Sequence, residues 1–413
     1  MIGKIEKILM VLIALFSIFF AYIFWQFQQP NNLRKDYEQE EELVILVTFE
    51  SIGYRKALDE LCKLFSEIEG SPKVVIEFVA QSNFQKEICI KSDQNTLPDV
   101  LIYENTLTET LVSMNILSDI SEYMLAGKSA EFITSGFTST LVDGKSYGVP
   151  LTCDPYVLFY NKELLEQPSK DLSEFYTQLL DTHVYSRYDL GFSIKNSEEI
   201  ASIFFQMIYG AGGTTRTLNS DNAIKIYALY EQLRDNLMIS TDMINWNQND
   251  IIQMFIEKRI SSCIMELSML AVLEEMEIDF TYAIAEVPYM QKPIYLFHGE
   301  NISVTTSADY EKAISFINFL TSQEQMDLFA DIANCLSVRS DDYNNPGLHY
   351  GLTDIFVQNQ KKYSIQKTTF STWPMISDSI KKNLIIFLTD KEVKSDDLGY
   401  MLYEEVRSAI LER

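Results

Sequence analysis

Few residues in this chain are spaced for covalent chemistry. His183, His298 and His349 lie too far apart in the sequence to suggest a metal set, and neither H-E-x-x-H nor G-x-S-x-G occurs. Gly210-Ala211-Gly212-Gly213 has the glycines of a phosphate cradle. It lacks the Lys-Ser/Thr pair that grips the phosphates and reads as a helix end. The 5 cysteines are widely spaced, odd in number and without a C-x-x-C pair. That pattern points to buried apolar side chains rather than to a disulfide framework or a zinc site. A pair of carboxylates that hydrolyses glycosides is defined by distance in space, which spacing along a chain does not give. An extracellular glycoside hydrolase therefore stays as a third choice, behind non-covalent capture of a ligand and a sensory or scaffold role. No cofactor and no metal are expected.

The elements that would position such a site come from hydrophobic patterning. Leu43-Val44-Ile45-Leu46-Val47 reads as a strand, and a helix through Ala57-Leu58, Leu61-Cys62 and Leu64-Phe65 follows it. Val74 to Val79 is the second strand, Asn83 to Ser92 a helix, and Leu97 to Tyr103 a buried third strand. This alternation predicts a mostly parallel sheet covered on both faces, with ligands gathered at the carboxyl ends of its strands. One more strand, Tyr156 to Tyr160, leads into a stretch that reads as largely helical to about Leu273. Strands return at Phe280 to Ile284 and Ile302 to Val304, then helices around 313–320 and 324–333 and from about Ile376 onward. Sheet, helices, sheet and helices is the order expected of two discontinuous lobes.

Composition sets the surroundings. The formal net charge of -26 disfavours nucleic acid and other acidic partners, and no Lys/Arg stripe is present to release counterions from phosphates. At the start, Lys4 and Lys7 precede a mostly apolar run from Ile8 to Trp25. The run is long enough to cross a bilayer at about 1.5 Å per residue, and the lysines favour a cytoplasmic N-terminus. Its exit, Phe20-Ala21-Tyr22-Ile23-Phe24-Trp25, is too bulky for a signal-peptidase site, and no lipidation cysteine follows. The expectation is an uncleaved anchor over 1–27, a polar tether over 28–42 and an outward-facing remainder.

Five segments in order resemble the extracellular solute-binding proteins of ABC importers, family 1, the sugar-binding branch similar to maltose-binding protein. They are Val44 to Phe65; Leu97-Pro98-Asp99-Val100 with Leu117-Ser118-Asp119-Ile120; and Gly144-Lys145-Ser146-Tyr147-Gly148-Val149-Pro150 with Asp154 and Phe159 to Leu164. Gly299 to Val304 with Ala313 to Ser322 is the fourth, and Cys335-Leu336-Ser337-Val338-Arg339 the fifth. The segment Lys258 to Ser268 departs from the family's pattern. It lacks the glycine, proline and tryptophan, so a common aromatic sugar platform is missing at Ser268.

The resemblance implies a two-lobed α/β fold with a hinge and an interlobe cleft, each lobe a mostly parallel sheet flanked by helices. Lobe 1 would comprise 43–150 and 288–338, and lobe 2 would comprise 151–287 and 339–413. It places Glu50, Ser51, Glu104, Asn105, Asp154, Glu266, Glu300, Asn301 and Trp373 at the cleft wall. Most of these positions also have a plain structural use. Glu50 and Ser51 fall where a helix needs capping, Asp154 precedes Pro155 in a turn, and Glu104 and Asn105 follow a buried strand. Trp373 is either a stacking platform or packing, and Trp246 reads as core beside a loop. Tyr156 or Tyr209 would be substitute aromatics. The implied function is capture of an extracellular carbohydrate for an ABC permease. The alternatives are a receptor for a cationic solute such as a polyamine, suggested by the carboxylates, and a membrane-anchored sensory or scaffold protein.

Overall fold

The structure is a computed structural model that describes residues 41–49, 51–333, 335–340, 364–366 and 370–411. The apolar run of 8–25 and Glu50 lie outside the described residues. Among the described residues no helix is long and apolar enough to cross a membrane. Leu43 to Arg413 forms one compact unit.

In chain order, the elements that build the site are β1 (Glu42–Val47), α1 (Ile52–Ser66), β2 (Lys73–Phe78), α2 (Gln81–Asp93), β3 (Val100–Glu104) and β4 (Val149–Pro150). There follow β5 (Tyr156–Asn161), β6 (Tyr188–Phe192), α3 (Ser197–Gly210), α4 (Gln248–Ile256), β7 (Ile260–Glu266), β8 (Tyr282–Ala285), β9 (Glu300–Val304) and α5 (Trp373–Thr389). One sheet runs β2-β1-β3-β9-β4 and the other β8-β5-β7-β6, giving two lobes of mixed α/β structure.

The strands are mixed in direction rather than mostly parallel. β1 and β3 are parallel, joined by crossovers as the alternating pattern requires, but β9 is antiparallel to both β3 and β4. In the second sheet only β6 and β7 are parallel. A strand that re-enters a sheet after the chain has built another lobe need not use a right-handed crossover, so it is free to run the opposite way. β6 and β7 interrupt the stretch that reads as helical. Ile260-Ser261-Ser262-Cys263-Ile264 is poor in strong strand formers, and it becomes the buried centre of a sheet by packing rather than by propensity.

Local sequence accounts for the helices nearest the cleft. Ser51 caps α1 by accepting from the Tyr54 N–H, and Tyr54, Ala57, Leu58, Leu61, Cys62 and Phe65 form its buried face at i, i+3, i+4 spacing. α5 starts with Trp373 and carries Pro374 in its first turn, where no N–H is missed. Trp373 packs on Phe205 of α3 with ring centroids 5.7 Å apart, joining α5 to α3.

Candidate functional site

Strand register brings the site together. In the first sheet Glu300 lies directly opposite Glu104, and in the second Glu266 lies opposite Tyr156. Like charges facing each other across two strands destabilise the pair, so this register has a cost that folding alone does not explain. Gly299 makes the close approach possible. It sits at φ +149, and a Cβ there would stand 2.3 Å from the Thr152 carbonyl oxygen. Only a residue without a side chain lets the 298–300 segment cross residues 152–154 at this distance.

The result is a cavity of about 130 Å³ between the lobes. Its lining includes Glu104, Asp154, Glu198, Glu199, Glu266 and Glu300 with His298, and among the described residues neither lysine nor arginine. His298 is the hub. Its Nε2 lies 2.9 Å from Glu266 Oε1 and its Nδ1 3.3 Å from Glu104 Oε1, so the imidazole is clamped between carboxylates from both sheets. Burial pushes this imidazole down, but the two carboxylates outweigh burial and hold it well above its ordinary value. The clamp favours the imidazolium form.

The carboxylates divide by environment. Burial pushes Glu266 up, and the imidazolium, with help from Gln248 and the Tyr156 hydroxyl, brings it below the ordinary value. Asp154 is 3% exposed and accepts from the Tyr54 hydroxyl at 2.9 Å and from the Ser268 N–H at 2.9 Å. Burial and the Glu266 charge nevertheless raise it to about 7. Glu300 accepts from the Thr152 hydroxyl, and burial with the Glu104 charge opposite raises it to about 8. Asp154 and Glu300 are thus held near the point of protonation by crowding of like charge.

A second compartment of about 440 Å³ adjoins the first, sharing Gln81, Glu198, Glu199 and Asn247 with it. Two contacts join the lobes beside these cavities. The Asn196 amide, which caps α3, donates to Gln81 Oε1 at 2.9 Å, and Lys56 Nζ of α1 lies 3.7 Å from Glu275 Oε1.

The residues singled out from the sequence fall into three groups. Ser51, Glu104, Asp154, Glu266 and Glu300 line the inner cavity, and Trp373 lines the outer one. Asn105 and Asn301 do not reach either: Asn105 donates to the Phe297 carbonyl at 3.5 Å, and Asn301 donates to Thr108 and to the Ser139 carbonyl. Glu50 is outside the described residues. Trp373 is wholly buried and gives its indole N–H to Glu198 at 2.6 Å, so it positions a carboxylate instead of presenting a face. Tyr156 and Tyr209 are buried too, and the Tyr156 hydroxyl donates to Glu266 at 3.1 Å. Among the described residues the inner cavity has no open aromatic face, since Tyr54 is its one aromatic and is 3% exposed.

Sequence reasoning missed His298, Tyr54 and the Glu198-Glu199 pair. His298 directly precedes the Gly299-Glu300 segment, a signal that was available. Glu198 and Glu199 look like ordinary first-turn acids behind the Asn196 cap.

A two-lobed α/β fold that closes over a polar cavity is the architecture of a solute receptor. The chain belongs to the bacterial extracellular solute-binding protein family, whose model it matches over residues 67–348. This is a family of binding proteins and not of enzymes. A binding protein of Brucella abortus (strain 2308) is 20% identical over 299 residues, covering 69% of this chain and 73% of that one. Maltose-bound MalE3 of T. maritima is similar in structure with a TM-score of 0.79 at 15% identity, over 89% of this chain and 99% of that one. The GacH receptor of Streptomyces glaucescens, solved unliganded and with acarbose, gives 0.78 at 16% identity, over 90% and 99%. At these identities the likeness shows the fold.

Proposed function

We propose that the chain is the substrate-binding component of an ABC importer, capturing an extracellular carbohydrate in the interlobe cleft and delivering it to a membrane permease. The observation that carries this reading is the closed polar cavity, walled by both sheets and dense in hydrogen-bond acceptors. Its fold is shared with proteins solved with maltose and with acarbose. The lobes would divide as 43–150 with 288–338 and 151–287 with 339–413. The cleft and its hinge would then lie where Thr152, Asp154 and His298 cross between the sheets. The apolar segment of 1–27 would anchor the receptor beside its permease through the 28–42 tether, with the binding domain outside the cell.

Thermal unfolding of the full-length protein against neutral mono- and oligosaccharides tests this. A ligand that binds only the folded state stabilises it by about 2.7 kcal/mol at a hundredfold excess over Kd. One sugar class raising the midpoint is the expected result. No shift with any sugar or any amine-bearing sugar overturns the reading.

A further inference from the structure

Resting on the proposal that the cleft captures a polar solute, we infer that this solute is a polyhydroxylated amine. Its ammonium would sit among Glu104, Glu266 and Glu300, and its hydroxyls would face Gln81, Asn247 and the outer compartment. The inner cavity gathers carboxylates around a lining that also holds the hydroxyls of Ser51 and Ser268 and the amides of Gln81, Asn247 and Gln248. Glu104 is 4% exposed, and its Oε1, 3.3 Å from His298 Nδ1, has no well-aligned hydrogen-bond donor among the described residues. Glu300 accepts from Thr152 through Oε2, and Glu266 accepts from His298 and Tyr156 through Oε1. Glu266 also takes a side-chain hydrogen bond from Gln248, while Glu300 Oε1 has no donor among the described residues. Glu104, Glu266 and Glu300 therefore crowd acceptor oxygens around one cavity whose lining, among the described residues, holds one imidazole, His298, and neither lysine nor arginine.

A neutral sugar could donate hydroxyls to these oxygens, yet it would strip water from several negative charges and return none. A protonated amine brings three donors and one compensating charge. Asp154 and Glu300, held up by burial and by neighbouring carboxylates, would be relieved by such a charge. A metal ion is the wrong shape of partner, since no three His, Cys, Asp or Glu groups among the described residues converge tightly enough to hold one. The charge is spread around a volume instead of focused on a point, which suits an organic cation.

The outer compartment calls for something different. There the lining mixes the amides of Gln81, Asn196 and Asn247 with Lys195 and Lys381, whose charges stand beside Glu198, Glu199 and Asp378. Thr106, wholly buried, lines it with a hydroxyl that has no hydrogen-bond partner. Amides and hydroxyls that both donate and accept recognise hydroxyl groups. A simple alkyl polyamine would leave this wall unused.

Glucosamine, which carries an amine in place of one glucose hydroxyl, is the matched probe, with glucose as its neutral counterpart and spermidine as the amine without hydroxyls. Unfolding midpoints of the full-length protein are read with each compound at low and moderate ionic strength. Glucosamine should raise the midpoint more than either comparator, and its affinity should fall as salt rises. Glu104→Gln and Glu300→Gln should each weaken it by about tenfold, the value of one charge-assisted hydrogen bond. The salt dependence of the unsubstituted protein gives the same answer without any variant having to fold. Equal, salt-insensitive shifts from glucose and glucosamine would sink this inference and leave the carbohydrate reading standing. A shift from spermidine alone overturns the hydroxylated half of it. No shift with any compound overturns both readings.

Discussion

Two histidines of this molecule, His183 half-buried and His298 buried, sit beside carboxylates with opposite balances. His183 pairs with Asp189 at 2.5 Å, and Arg187 stands 3.8 Å from the other oxygen of the same carboxylate, so two bases surround one acid. His298 is one base beside Glu104 and Glu266, with Asp154 and Glu300 in the same cavity. The first cluster is internally compensated and ties the end of a helix to β6. The second has more negative charge than its protein neighbours can neutralise. A buried charge that serves only the fold is matched by its surroundings, whereas one left in excess within a cavity is matched from outside.

This contrast can be broken by substitution. Asp189→Ala should be the most damaging change, stranding His183 and Arg187 without their acid and costing about 3–5 kcal/mol in urea unfolding. Gly299→Ala comes next. Its φ of +149 and the 2.3 Å approach to the Thr152 carbonyl leave no room for a methyl group, and a loss of about 2–3 kcal/mol is expected. By contrast Glu300→Gln, in unliganded protein, should be neutral or mildly stabilising by up to about 1 kcal/mol, because Glu300, held up to about 8, must take up a proton on folding at neutral pH and the amide need not. A loss as large as that of Asp189→Ala would show that the cleft carboxylates hold the fold together after all.

The smallest effect is on pH dependence. Asp154 and Glu300 titrate near 7 and 8 in the folded chain and near 4 when unfolded. Between those values the folded state binds more protons than the unfolded one, so stability falls as pH rises through the window. His298, also raised, acts in the same direction above its ordinary value. The lowered Glu266 contributes only below the usual carboxylate range. The midpoint of the unliganded protein should therefore decline from pH 5 to 8, and Glu300→Gln should flatten that decline. An unchanged slope in the variant would mean that Glu300 is not the group responsible.

Much of the first lobe is legible in sequence because its information is local. The apolar run of β1, the periodic face of α1 and the Leu97 to Tyr103 strand each declare themselves within a dozen residues. The same is true of Asp154 and Glu300, which lie inside recognisable segments. What was not legible depends on register between distant strands. Nothing near Glu104 says that Glu300 will face it, and nothing in Ser261-Ser262-Cys263 announces a central strand. His298 was passed over because a lone histidine gains its meaning from the two carboxylates that clamp it, one from each sheet. Asn105 and Asn301 show the converse. They neighbour cavity residues, but strand alternation turns Asn301 to the other face, where it bonds Thr108 and the Ser139 carbonyl, and Asn105, just past its strand, bonds the Phe297 carbonyl.

The contacts that join the lobes beside the cleft have a kinetic meaning. Gln81 with Asn196, and Lys56 with Glu275, bond protein to protein and involve no solute. Opening of the lobes would part these contacts, and lobe motion of this kind runs on a microsecond-to-millisecond scale. Residence time therefore carries a component set by the receptor itself and common to every cargo, a clock wound by two side-chain pairs at the mouth.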